Sequence, residues 1–205
     1  MISPLRWRPA LTTRSYPARG KTERRSMSTK DIVYIALFAA MTAALGLFPA
    51  FNLPVIGVPI TAQSMGCMFA GAIAGAKRGA LAMVLFDLLV AMGLPLLAGG
   101  RGGFGIFIGP SGGFILAWPL AALLIGWLYR RSLRSLTWVK ELPIVALGGL
   151  GLIYSMGIPW IAAVAGISLK QAGVASLGFL PGDLVKVVLV VAIVRTVRRA
   201  WPTLE

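Results

Sequence analysis

The sequence predicts an all-α membrane protein, one polytopic domain of six transmembrane helices with both termini in the cytoplasm. Three observations lead there. Of 205 residues, 58% are hydrophobic and only 13% charged, with a mean hydropathy of +0.84, whereas soluble domains carry about a quarter charged residues. Apolar runs near the ~20 residues that cross a hydrocarbon core recur along the chain. The basic residues that give the net charge of +14 cluster between alternate runs, the pattern of cytoplasmic loops rather than of a nucleic-acid surface. There is no His, and Cys67 is the single cysteine. An internal disulfide, Cys/His metal sites and His-based catalysis are therefore excluded, and no enzyme activity and no cofactor are expected.

Residues 1–30 carry eight Lys/Arg against one acid, Glu23, and no apolar stretch. A secretory signal needs an apolar h-region, so this segment reads as a basic cytoplasmic tail or as an extension upstream of a start at Met27. Residues 31–199 form the membrane domain, and 200–205 a short C-terminal tail. No charged side chain occurs from Ile32 to Ala76. Pro49, Asn52, Pro54, Gly57 and Pro59 divide that run into a first span, Ile32–Phe48, and a second, Ile60–Ala76. Lys77 and Arg78 form a basic turn before the third span, Gly79–Leu97, which Asp87 interrupts.

A glycine-dense outer loop, Ala98 to Gly113, follows and contains Arg101. Its GxGxxG-like spacings lack the strand–turn–helix setting of a nucleotide cradle. The fourth span, Gly113–Tyr129, is closed by Arg130, Arg131, Arg134 and Lys140. The fifth lies within Leu142–Gly166, with a kink expected at Gly157/Pro159. The sixth, Val174–Val197, runs into Arg195, Arg198 and Arg199. With both ends inside, the charges divide seventeen to two in favour of the cytoplasm.

Three ionisable residues fall inside predicted spans: Asp87, Asp183 and Lys186. A charge at the bilayer centre costs at least ~2.5–3.5 kcal/mol, so such groups face the protein interior and mark a site. Asp183 and Lys186 are spaced to neutralise each other within one helix turn. With Asp87, with Gln63 in the first turn of the second span, and with Arg101, they are expected to line one cavity in the outer half of the membrane. That set suits a small ligand with an anionic end and hydrogen-bonding groups; a proton relay is the competing role for the acids. Trp118, Trp160, Phe104 and Phe107 are candidate apolar walls. In the first span Ala36, Ala40 and Ala44 form a small-residue row that lets another helix approach closely.

Four segments then carry a family resemblance. Pro59-Ile-Thr-Ala-Gln-Ser-Met-Gly66, Gly93-Leu-Pro-Leu-Leu-Ala-Gly-Gly100, Gly109-Pro-Ser-Gly-Gly113 and Phe179-Leu-Pro-Gly-Asp-Leu-Val-Lys186 occur in this order. Together they resemble the motifs of BioY, the biotin-binding S component of energy-coupling factor transporters, over about Lys30 to Arg199. The resemblance implies a six-helix S-component fold in the inner (plasma) membrane that captures biotin from the outer face. It implies that Asp183 and Lys186 bind the ligand, with Arg101, Asp87 and Gln63 beside them. An amide rather than an acid is expected at position 87. It also implies that Ala36, Ala40 and Ala44 dock on a coupling membrane protein.

Biotin fits the predicted site: its ureido ring has two N–H donors and a carbonyl, its bicycle is apolar and its valerate is anionic. Asp183 would accept from the ureido ring, with Gln63 or Asp87 completing that end, and Lys186 or Arg101 would meet the carbonyl or the carboxylate. No phosphate-binding G-x-x-x-x-G-K-[ST] occurs, so ATP hydrolysis would come from separate ABC-type ATPase subunits. The alternative is a proton-coupled or solo carrier for biotin or another small vitamin-like solute.

Overall fold

A computed structural model of the chain describes residues 27–52, 58–132 and 136–200. Most of the basic tail, Arg134 and residues 201–205 lie outside the described residues. The first helix, α1 (Thr29–Leu45), starts where Ser28 and Asp31 form a reciprocal capping box, which satisfies two otherwise orphan N–H groups. It begins and ends three residues earlier than hydropathy suggests, because the cap sits outside the apolar run. A strand pair absent from the sequence reading follows: β1 (Phe51–Asn52) and β2 (Pro59–Ile60) are antiparallel.

Helix α2 (Ser64–Ala74) is a shorter apolar helix whose second half, Ala70–Ala74, is π-wound. It starts four residues later than expected, so Gln63 is its N-cap residue rather than part of its first turn. Helix α3 (Ala76–Ala91) stops well short of Leu97, because the following Gly-Leu-Pro turn places Gly93 at a φ of 103°. Asp87 therefore lies one turn from the end of α3, not mid-span. A single turn, Gly105–Ile108, interrupts the outer loop before α4 (Gly112–Ser132).

Helix α5 spans Trp138–Ala165. The departure from α-geometry falls at a π-wound stretch, Leu147–Leu152, ahead of the expected Gly157/Pro159. Helix α6 (Leu169–Ala200) begins before Val174 because a second capping box, Ser168 with Gln171, nucleates it. A 3₁₀ turn, Leu177–Phe179, then interrupts the α-winding of α6 just ahead of Asp183.

Among the described residues, three helices are long and apolar enough to cross a membrane: α4, α5 and α6. Helices α1 and α3 have 17 and 16 residues. The core is formed mainly by α4, whose Ala117, Ala121, Ala122 and Ile125 are wholly buried against α3, α2 and α5. Small residues set these approaches: a Cβ at Gly66 of α2 would overlap the Thr42 side chain of α1, and one at Gly149 of α5 would overlap Met68.

Two polar ties close the basic end of the bundle. Asp31 pairs with Arg78, whose guanidinium also lies over the Tyr34 ring. Glu141, buried at the start of α5, accepts from Arg195 at 2.7 Å and from the Tyr129 hydroxyl at 3.2 Å. The opposite end holds the strand pair, the glycine-dense loop and the start of α2, and there the cavity opens.

Candidate functional site: a two-lobed cavity

The first lobe is built where the 3₁₀ turn of α6 delivers Asp183 and Lys186 to the faces of α2 and α5. Lys186 Nζ donates to Asp183 Oδ1 at 2.7 Å and to Ser64 Oγ at 3.1 Å. The Tyr154 hydroxyl donates to Asp183 Oδ2 at 2.6 Å. Asp183 and Lys186 keep only 11% and 13% of their side-chain exposure, so the pair is drawn out of solvent. An intrahelical pair serving only to cancel its own charge would not also need bonds to two other helices. Apolar Ile60 and Phe179 complete this lobe.

The second lobe is lined by Gln63, Leu97, Arg101 and Ser111. Val58, Pro59, Thr61, Phe114 and Trp118 border both lobes, so an apolar waist with one aromatic wall joins them. Phe114 is held by edge-on contacts with Tyr154 and Phe179, and Trp118 tilts against Phe86. The π-wound stretch of α5 brings Gly149 and Ile153 to the first lobe, a placement in keeping with the frequent siting of π-bulges at functional positions.

The two lobes differ in charge. Cation and anion offset each other in the first, leaving a neutral set of donors and acceptors. In the second, the Arg101 Nε donates to the Ala98 carbonyl at 3.2 Å. Among the described residues Arg101 has no ion-pair partner. An anionic group is thus best met at Arg101, and a neutral polar ring at Asp183 and Lys186.

Of the residues singled out from the sequence, Asp183 and Lys186 come together in one lobe, and Arg101 and Gln63 border the other. Asp87 lines neither: it is buried on α3, with Oδ1 lacking a hydrogen-bond partner. Trp118 is a wall, whereas Phe104 is exposed and Trp160 Nε1 donates to the Gly109 carbonyl at 2.9 Å. Phe107 is buried without lining either lobe. The sequence reading missed Tyr154 and Ser64. Ser64 directly follows Gln63, and Tyr154 is a polar-tipped aromatic within an apolar run; either feature could have drawn notice. Ala36, Ala40 and Ala44 lie exposed in a row on α1.

The family model for the BioY family matches residues 20–203. The chain is 44% identical over 183 residues to the biotin transporter BioY of Rhizobium etli, covering 87% of this chain and 98% of that protein. It is 44% identical to the biotin transporter BioY of Rhodobacter capsulatus over 85% of this chain and 96% of that one. It is 37% identical to the biotin transporter BioY of Lactococcus lactis, covering 85% and 93%. Among solved structures, it resembles the 2.1 Å crystal structure of the S-component for biotin from an ECF-type ABC transporter. That match has a TM-score of 0.80 and 37% identity, and covers 85% of this chain and 95% of the other.

Proposed function

The chain belongs to the BioY family, a membrane transporter family, and on that premise we propose that it captures biotin from the outer face of the cell membrane for import. The observation that carries this reading is the charge difference between the lobes. The neutral Asp183–Lys186 pair matches the ureido ring: Asp183 accepts from a ureido N–H while Lys186 donates to the carbonyl. The uncompensated Arg101 meets the valerate carboxylate, and Phe114 and Trp118 cover the apolar bicycle. Ligand sites of this kind pair an apolar lining with a few convergent polar groups. In this assignment Tyr154 and Ser64 orient the ion pair, and Asp87 stays outside the contact set.

The fold supports six crossings. The ties of Asp31 to Arg78 and of Glu141 to Arg195 fall at one end of the bundle, and the cavity opens at the other. The positive-inside rule puts the basic end, and with it both termini, in the cytoplasm. The exposed row Ala36, Ala40, Ala44 on α1 offers a close-packing face for a coupling membrane protein, with ABC-type ATPase subunits supplying the energy.

Titration calorimetry of the purified chain in detergent tests the reading, with riboflavin and thiamine as controls. Stoichiometric binding of biotin alone, lost in Asp183→Ala, is the expected result. Folded protein that binds no biotin would overturn it.

A further inference from the structure

Gln63 is 1% exposed, and its side-chain amide is fully engaged by backbone groups from two segments. Nε2 donates to the carbonyls of Thr42, at 3.1 Å, and of Leu96, at 2.9 Å. Oε1 accepts from the N–H of Ala98 at 2.8 Å. A glutamine amide has two hydrogens to give, and both are taken. The orientation of the amide is unambiguous, since its partners are two carbonyls on one side and an N–H on the other. Nor is there slack around it: a Cβ at Gly46 would stand 2.8 Å from Nε2 and 2.7 Å from the Leu96 carbonyl. Gln63 borders the second lobe but has no donor left for a ligand.

What the amide holds is the incoming limb of the turn that carries Arg101. It grips Leu96 and Ala98 on either side of Leu97, which is 3% exposed. Leu97 in turn pairs with Arg101: its N–H donates to the Arg101 carbonyl at 3.0 Å, and the Arg101 N–H donates back at 3.1 Å. Between them Gly99 and Gly100 take φ values of 79° and 69°, the left-handed region that glycine enters without steric cost. The Arg101 guanidinium rests on the Ala98 carbonyl, so the residue whose N–H is fixed by Gln63 also aims the cation. Through Thr42 the same amide ties this turn to α1.

We propose that Gln63 is a positioning residue: it does not touch the ligand but clamps the Leu97–Arg101 turn to α1 and α2, fixing where Arg101 presents its charge. The ligand arm of the proposal rests on the assignment of Arg101 to the carboxylate of biotin; the clamp itself does not.

The test is a double-mutant cycle on the purified chain, read as the preference for biotin over biotin carboxamide, whose tail is neutral. Arg101→Met is expected to cut that preference about tenfold. Gln63→Met should cut it by a comparable factor, and the double variant no further, because residues acting through one another do not add. A Gln63→Met variant that weakens both ligands equally and keeps the preference would overturn the proposal. So would factors that multiply in the double variant. If Gln63→Met does not fold, Gln63→Glu keeps the shape and the acceptor for Ala98 but loses both donors, and serves in the same cycle.

A readout without ligand separates this proposal from the biotin reading. Tryptic cleavage after Arg101 should be about tenfold faster in Gln63→Met than in the wild type, because the turn opens locally once unclamped. An unchanged rate would overturn the clamp, whereas absence of biotin binding by the wild type would overturn only the ligand reading.

Discussion

Tyr154 and Asp183 stand on different helices, and the hydroxyl of the first reaches Oδ2 of the second at 2.6 Å while Lys186 occupies Oδ1 at 2.7 Å. Each carboxylate oxygen retains a lone pair, so the two donors orient Asp183 without exhausting it. Tyr154→Phe removes one of them and leaves the ring that packs against Phe114. We expect biotin to bind about tenfold more weakly, equivalent to ~1.4 kcal/mol, with the protein still folded. Asp183→Asn should be far more damaging, because it removes the charge that balances Lys186 and turns one of the two acceptor oxygens into a donor. Calorimetry of the two variants side by side checks the order.

The Asp183–Lys186 pair has a second consequence, for the empty protein. Truncating one member of a desolvated ion pair strands the other, at about 3–5 kcal/mol, whereas neutralising both costs much less. Lys186→Met should therefore lower the thermal midpoint of the ligand-free chain in detergent more than the double variant Asp183→Asn/Lys186→Met does. Equal midpoints would mean that the stranded carboxylate is rehydrated through the cavity mouth.

How much of this was legible beforehand depends on the range of the interaction that decides it. Helix identity and order follow from hydropathy, a local property, and all six helices lie where apolar runs do. Helix ends follow from caps and turns: Ser28 with Asp31 and Ser168 with Gln171 start α1 and α6 outside the apolar runs. Gly93 and its neighbours end α3 before the hydropathy falls. Those displaced ends bear on Asp87, which was expected to line one cavity with Asp183 and lies one turn from the end of α3. Asp183 and Lys186 were legible because a charge in an apolar run is costly whatever surrounds it. Tyr154 and Ser64 were not, since a single hydroxyl acquires a role only from the partner opposite. The π-wound stretch beside the first lobe likewise depends on packing of Gly148 and Gly149 against Ile125 and Met68, which no single-helix periodicity contains.

Close approach of α1 and α2 gives a test of packing. Gly66 faces Thr42, whose hydroxyl donates to the Phe38 carbonyl at 2.8 Å, and a Cβ at position 66 would overlap Thr42 Oγ1. Gly66→Ala should cost about 1–3 kcal/mol as overpacking, read as a lower thermal midpoint. Adding Thr42→Ala, which removes Oγ1 and Cγ2, should restore part of that loss. A double variant no more stable than Gly66→Ala alone would show that the helices had already moved apart. Gln63 stands three residues before Gly66 and its amide holds Leu96 and Ala98 beside Arg101, so the single variant should also weaken biotin binding.

The start of α1 gives a pH dependence with a definite sign. Asp31 is held below the usual carboxylate range, first by the Ser28 backbone N–H and then by the Arg78 side chain and the Ser28 hydroxyl. A carboxyl whose pKa is depressed on folding contributes stability above its unfolded pKa, near ~3.9, and loses it as pH falls through the folded value. Protonation removes both the reciprocal cap and the tie to Arg78, which joins the first turn of α1 to α3. Backbone exchange over Asp31–Val33, corrected for its intrinsic pH dependence, should therefore stay protected from neutral pH down to about pH 4 and rise below that. In Asp31→Asn, which has no titrating group there, the protection should be lower throughout and flat with pH. A wild-type profile that stays flat through the carboxylate range would mean that Ser28 alone caps the helix. Since α1 carries Ala36, Ala40 and Ala44 on its exposed face, loosening its first turn should weaken association with the proposed coupling partner before it affects biotin binding at the far end of the bundle.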